Sequence, residues 1–170
     1  MSFIQLAEER FSVRKFSARA VEQEKLEAIL RAGQIAPTAC NNQPQKIYVI
    51  RSPEALEKLQ KCKPSHFGET LAILVCCRTG ACWRRPCDGK SSGDVDAAIV
   101  TTHMMLAAQE QGIGSTWVMH FIPDAVRSEF AIPEDEEPIS LLVMGYPAED
   151  VKSAPLHAQK KPLNETVTIL

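Results

Sequence analysis

The chain has 170 residues, 45% hydrophobic and 24% charged, proportions that predict one globular domain with a sizeable core. With 19 basic against 21 acidic residues the net charge is −2, the wrong balance for a general nucleic-acid or membrane-surface binder. The opening MSFIQLAEER is charged where a signal peptide is apolar, and no apolar run reaches the length of a membrane span, so a cytoplasmic location is expected.

In chain order, Ile4 to Arg10 reads as a short helix. It runs into ERFSVRKF, where Arg10 and Arg14 flank Ser12. Two guanidinium forks and a hydroxyl can converge on a phosphate, although taken alone the motif reads first as a solvated helix end. Val21 to Gly33 predicts a helix with Leu26, Ile29 and Leu30 on one face and Gly33 as its stop. Next comes APTACNNQPQ, with four amides (Asn41, Asn42, Gln43 and Gln45) held between Pro37 and the strand that follows. Amides donate and accept together, which suits a ligand edge that offers both.

Ile47 to Ile50 predicts a strand. Ser52 then caps a helix that has Pro53 at its first position and turns Leu56 and Leu59 inward. Leu71 to Cys77 is apolar on both faces and predicts a central strand. TGACWRRPCDGKSSG is a long loop; its GKSS lacks the earlier glycine of a phosphate loop, because Arg84 stands there. Asp94 to Gln111 predicts the longest helix. It is apolar almost all round, as a central helix or one covered by a partner subunit would be. His103 on it is expected to be a satisfied core histidine, and Met104 and Met105 core packing.

Gly112 and Gly114 end that helix, STWV predicts a short strand, and Pro123 to Phe130 a small helix. PEDEEP reads as a solvated loop and Ile139 to Tyr146 as a buried strand. From Pro147 the chain is expected to be an extended tail whose TVTIL end could add a strand to a sheet. Helices and strands mix without regular alternation, so the expected fold class is α+β. The six cysteines contain no C-x-x-C pair, which argues against metal or cluster spacing. Cys76 and Cys77 are expected to be buried thiols. His66, His120 and His157 are scattered.

RFSVRKF, APTACNNQPQ, GIGSTWV, LLVMGYPAE and KKPL stand in the order and spacing of the FMN-dependent nitroreductase family, and the chain resembles its short single-domain members from Arg10 to Leu170. The resemblance implies one FMN-binding domain over residues 1–170, in a homodimer with a mostly antiparallel sheet between helices. The tail, 147–170, would be exchanged between subunits. It also implies that Arg10, Ser12 and Arg14 meet the FMN phosphate and ribityl chain, with Lys160 and its neighbour Lys161 on the same phosphate. Pro37, Thr38, Ala39, Asn41 and Gln43 would reach the flavin of the opposite subunit. Thr116, Trp117, Val118, Met119 and His120 would lie along the ring near N5.

The implied activity is hydride transfer from NAD(P)H through FMN to an electron-poor acceptor, a nitroaromatic or a quinone, in a ping-pong cycle. No side chain is assigned as an obligatory acid, and no metal is expected. The family often has glycine where this chain has Met119 and His120, and bulk there would reshape the pocket. Trp83 and Arg84 are candidates for its entrance. Two alternatives remain: a specialised flavin-cleaving or dehalogenating relative, and a non-catalytic redox or metal binder built on Cys76, Cys77, Cys82 and Cys87.

Overall fold

Residues 2–170 are described by a computed structural model. The sheet has four strands: β1 (Gln45–Ile50), β2 (Leu71–Arg78), β3 (Gly114–Val118) and β4 (Glu136–Gly145), in the spatial order β1-β2-β4-β3. Every pairing is antiparallel. Among the described residues six α-helices accompany it: α1 (Phe3–Glu9), α2 (Gln23–Ile35), α3 (Pro53–Lys61), α4 (Gly93–Glu110), α5 (Pro123–Phe130) and α6 (Leu163–Thr166). The α+β expectation holds, and no described helix is long and apolar enough to cross a membrane.

The two faces of β2 explain the layers. Successive side chains of a strand point to opposite faces. Leu71, Ile73 and Val75 therefore pack with Leu26 and Ile29 of α2 and with Val100 and Met104 of α4. Ala72, Leu74 and Cys76 pack the other way, against Leu59 of α3, Val126 of α5, Val13 and Phe16. A strand buried on both sides needs an unbroken apolar run, which LAILVCC supplies.

Three features differ from the expected ones. Gly33 does not end α2, which runs on to Ile35; it sits inside the helix because a Cβ there would come within 2.9 Å of Met104. PEDEEP is only partly a solvated loop, because β4 begins at Glu136. That carboxylate is buried and accepts the Tyr48 hydroxyl at 2.5 Å, and burial together with this bond pushes the Tyr48 phenol up to about 12. The tail is not uniformly extended: Pro155–Ala158 and Leu163–Thr166 are single turns. Val167 to Leu170 pair with no strand of their own chain.

Only the inner face of α4 is covered within the chain. Val100, Met104 and Ala108 are buried, whereas Val95 is 56% exposed. Val95, Ala98, Ile99, Thr102, His103 and Leu106 line two open apolar grooves of about 470 and 490 Å³. His103 therefore lies half-buried on the outer face and not in the core. Its Nδ1 donates to the Ile99 carbonyl at 2.9 Å.

Candidate functional site

After α1 the chain turns extended at Arg10, so side chains alternate and Arg10, Ser12 and Arg14 share one face. Val13, on the other face, is buried. The backbone is fixed from two directions. Val13 N–H donates to the Ser115 carbonyl at 3.0 Å and Phe16 N–H to the Phe67 carbonyl at 3.0 Å. The Thr116 hydroxyl donates to the Val13 carbonyl, so the two segments expected at the phosphate and at the ring are joined directly.

Arg10, Phe11, Ser12 and Arg14 line a cavity of about 250 Å³ with Ala154, Leu156 and His157 from the tail. Lys160 does not line it but donates to the carbonyl of its wall residue His157 at 2.6 Å. Among the described residues, Arg10, Arg14, Lys160 and Lys161 have no carboxylate partner. Cations that converge without an internal counterion are available to a bound anion. His157 was missed in the sequence. Its Nε2 donates to the Glu8 carbonyl at 2.9 Å and its ring meets Phe11 edge-on at 6.3 Å, contacts that no local pattern announces.

The amide loop is not brought to this cavity. Ala39 instead borders a second one, of about 400 Å³, with Trp83, Arg85, Lys90, Val95 and Asp96. The loop is a strained 3-10 turn with φ of 52° at Cys40, 53° at Asn41 and 49° at Gln43, a left-handed conformation that L side chains adopt at a cost. The bonds that hold it include Ala39 N–H to Asp96 Oδ1 at 2.8 Å, Gln43 N–H to Thr38 Oγ1 at 3.0 Å, Asn42 Nδ2 to the Ala81 carbonyl at 3.1 Å and Asn41 N–H to the Thr38 carbonyl at 2.9 Å. Asn41 and Gln43 are left exposed, the arrangement of groups presented outward.

Asp96 is the second residue that sequence reasoning passed over. It is buried at 2% exposure and also accepts the Ser92 hydroxyl at 2.7 Å. Its only sequence signal is a carboxylate in the first turn of a helix. Asp96→Ala strands a backbone N–H and a hydroxyl, so the urea midpoint should fall by the equivalent of about 1–3 kcal/mol at unchanged slope. Asp96→Asn, which keeps an acceptor for Ala39, should recover part of the loss.

At the end of β3, Thr116 and Val118 are buried while Met119 is 65% exposed and His120 is exposed. Trp117 Nε1 donates to Met119 Sδ at 3.2 Å. Met119 thus covers the indole edge, and this strand end is bulkier than a glycine would leave it.

A four-stranded antiparallel sheet between helices, with a cavity lined by Arg10 and Arg14 where the segment after α1 meets the tail, defines an α+β protein of the nitroreductase fold. The chain belongs to the nitroreductase family, whose pattern matches residues 7–67 and 81–146. It is 45% identical to a nitroreductase family protein of Clostridium difficile 630, with a TM-score of 0.93 over 99% of this chain and 98% of that one. An FMN-dependent nitroreductase of Clostridium difficile R20291 is 26% identical, with a TM-score of 0.74 over 89% of this chain and 91% of its own. A protein of Archaeoglobus fulgidus named as an NADH dehydrogenase/NAD(P)H nitroreductase is 32% identical over 149 residues, 83% of each chain.

Proposed function

We propose that the chain is an FMN-dependent NAD(P)H oxidoreductase working as a homodimer of single-domain subunits. The observation that carries this reading is the meeting of Arg10, Ser12 and Arg14 on one cavity without carboxylate partners, with Lys160 bonded to the carbonyl of His157 in its wall. A phosphate monoester is nearly dianionic at neutral pH, and two guanidiniums, an ammonium and a hydroxyl match its charge and its acceptors. FMN, when bound, supplies the two-electron chemistry between a reduced nicotinamide and an electron-poor acceptor that visit in turn.

The chain's own groups position and exclude. Thr116, fastened to Val13, aligns the backbone from Trp117 to His120 beside the ring position. Met119 and Trp117 shield that position from water. Pro37, Thr38, Ala39, Asn41 and Gln43 serve the ring of the partner subunit, which accounts for amides presented outward on a strained loop far from the basic cavity of their own chain. The uncovered face of α4, together with Phe3 at 67% and Ile169 at 94% exposure, fits a second copy, and residues 147–170 reach across to it.

The purified protein is expected to be yellow after gel filtration and to release FMN on denaturation. A colourless protein that takes up no FMN on titration sinks the reading. Mixing two inactive variants, Arg14→Ala and Asn41→Ala, tests the shared site. Subunit exchange would create one doubly damaged site and one intact site, so activity should return. Verified exchange with no recovery would show that the loop serves its own subunit.

A further inference from the structure

Cys77 lies near the end of β2, and Cys82 lies at the start of the loop, just after Ala81, that leads into α4. Their Sγ atoms stand 2.6 Å apart, already in contact. The first residue of α4 makes room for them. A Cβ on Gly93 would come within 2.9 Å of Cys77 Sγ and 3.0 Å of Cys82 Sγ. The two thiols are unequal. Cys77 is 2% exposed, and burial, then its bond with Cys82, pushes its thiol up so that it keeps its proton. Cys82 is half-buried and reaches solvent, its thiol donating to the Arg78 carbonyl at 3.3 Å. Cys76, the other cysteine of β2, faces the opposite side of the sheet.

We propose that Cys77 and Cys82 form a redox-active dithiol, a modification site for hydroperoxides that closes to a disulfide. The sulfur of Cys82 attacks the terminal peroxide oxygen and the O–O bond breaks. Cys82 becomes a sulfenic acid, and the thiol proton leaves with the other oxygen as water or an alcohol. The neighbouring Cys77 thiol then attacks that sulfur; the S–S bond forms, and its proton departs with the sulfenic hydroxyl as water. Two electrons pass from the sulfurs to the peroxide, and the thiols' two hydrogens end in the released products.

The consequence is local. Trp83, next to Cys82, has its carbonyl bonded by Ser92 N–H at 2.9 Å, and both residues wall the 400 Å³ cavity beside Asp96. The disulfide therefore pins the base of that wall to β2. This inference does not rest on the flavin reading.

The test treats the reduced full-length protein with hydrogen peroxide, then titrates thiols and maps peptides. Two of the six free thiols should be lost, and the mass should fall by two hydrogens. The peptide ending at Arg78 should be joined to the one starting at Thr79, with dithiothreitol reversing all three changes. Cys82→Ser and Cys77→Ser should each abolish the link, and Cys87→Ser should keep it; if Cys77→Ser does not fold, half-exposed Cys82 carries the comparison. Native trypsin should cut after Arg84 more slowly in the oxidised form. Retention of all thiols, stable sulfinic acid at Cys82 without a link, or a link to Cys87 would overturn the proposal. Equal cutting rates would overturn the pinning.

Discussion

Replacing Lys63 by Met should destabilise the fold by about 3–5 kcal/mol, the usual cost of stranding a buried charge. Lys63 Nζ and Glu69 Oε1 are 2.7 Å apart with both side chains at 0% exposure. Glu69 also accepts Gln60 Nε2 at 3.1 Å and Phe67 N–H at 3.3 Å. Burial works to raise the Glu69 carboxyl, yet the Lys63 hydrogen bond, a backbone hydrogen bond, the Lys63 charge and the Gln60 bond together outweigh it and hold it below its ordinary value. In the parent protein this contributes stability above the ordinary carboxylate range, lost as pH falls. Without Lys63, burial dominates and the folded value rises above the unfolded one. The variant's Glu69 then favours folding only in acid, so its deficit should shrink between about pH 7 and about pH 4. Urea unfolding at both pH values checks this, and an equal deficit at both would refute it. The pair also matters to the candidate site. It braces the turn whose Phe67 carbonyl accepts Phe16 N–H at 3.0 Å and whose Cys62 carbonyl accepts Ile122 N–H at 2.8 Å. Both contacts lie within three residues of groups assigned to the flavin.

Arg14→Ala should weaken FMN binding about ten- to a hundredfold, the equivalent of roughly 1.5–3 kcal/mol for one charge-assisted partner of a phosphate. Stability should change by less than about 0.5 kcal/mol, because Arg14 is exposed and its one internal bond, to the Ser12 carbonyl, is long at 3.4 Å. Quenching of FMN fluorescence on titration gives the affinity, and thermal unfolding of the apoprotein gives the control. Added salt should weaken binding to the parent more than to the variant, because one fewer cation is left to screen. Unchanged affinity would make Arg14 mere surface charge.

The elements of this protein were legible wherever a short pattern decides them. The Ser52–Pro53 start of α3 appears as expected, with Ser52 Oγ accepting Ala55 N–H at 3.1 Å, because a cap involves neighbours three residues apart. The unbroken apolar run of β2 announced its place in the middle of the sheet. The pairing of Arg10 and Arg14 around Ser12 was visible as a candidate phosphate contact, but that they share one face came from the extended backbone after α1. By contrast, Gly33 reads as a stop by local rules, and only the approach of Met104 shows why the helix continues through it.

What the sequence determined by itself was the set of local preferences and the family register. What the tertiary structure alone decided was which distant groups meet. Asp96 holds Ala39 across 57 positions and His157 reaches Glu8 across 149. Lys63 and Glu69 became one buried pair, Cys82 came to rest on Cys77, and the amide loop was set apart from the basic cavity. The physical reason is range: capping, alternation and helix periodicity act over a few residues, whereas these contacts exist only once the sheet order β1-β2-β4-β3 has folded remote segments together.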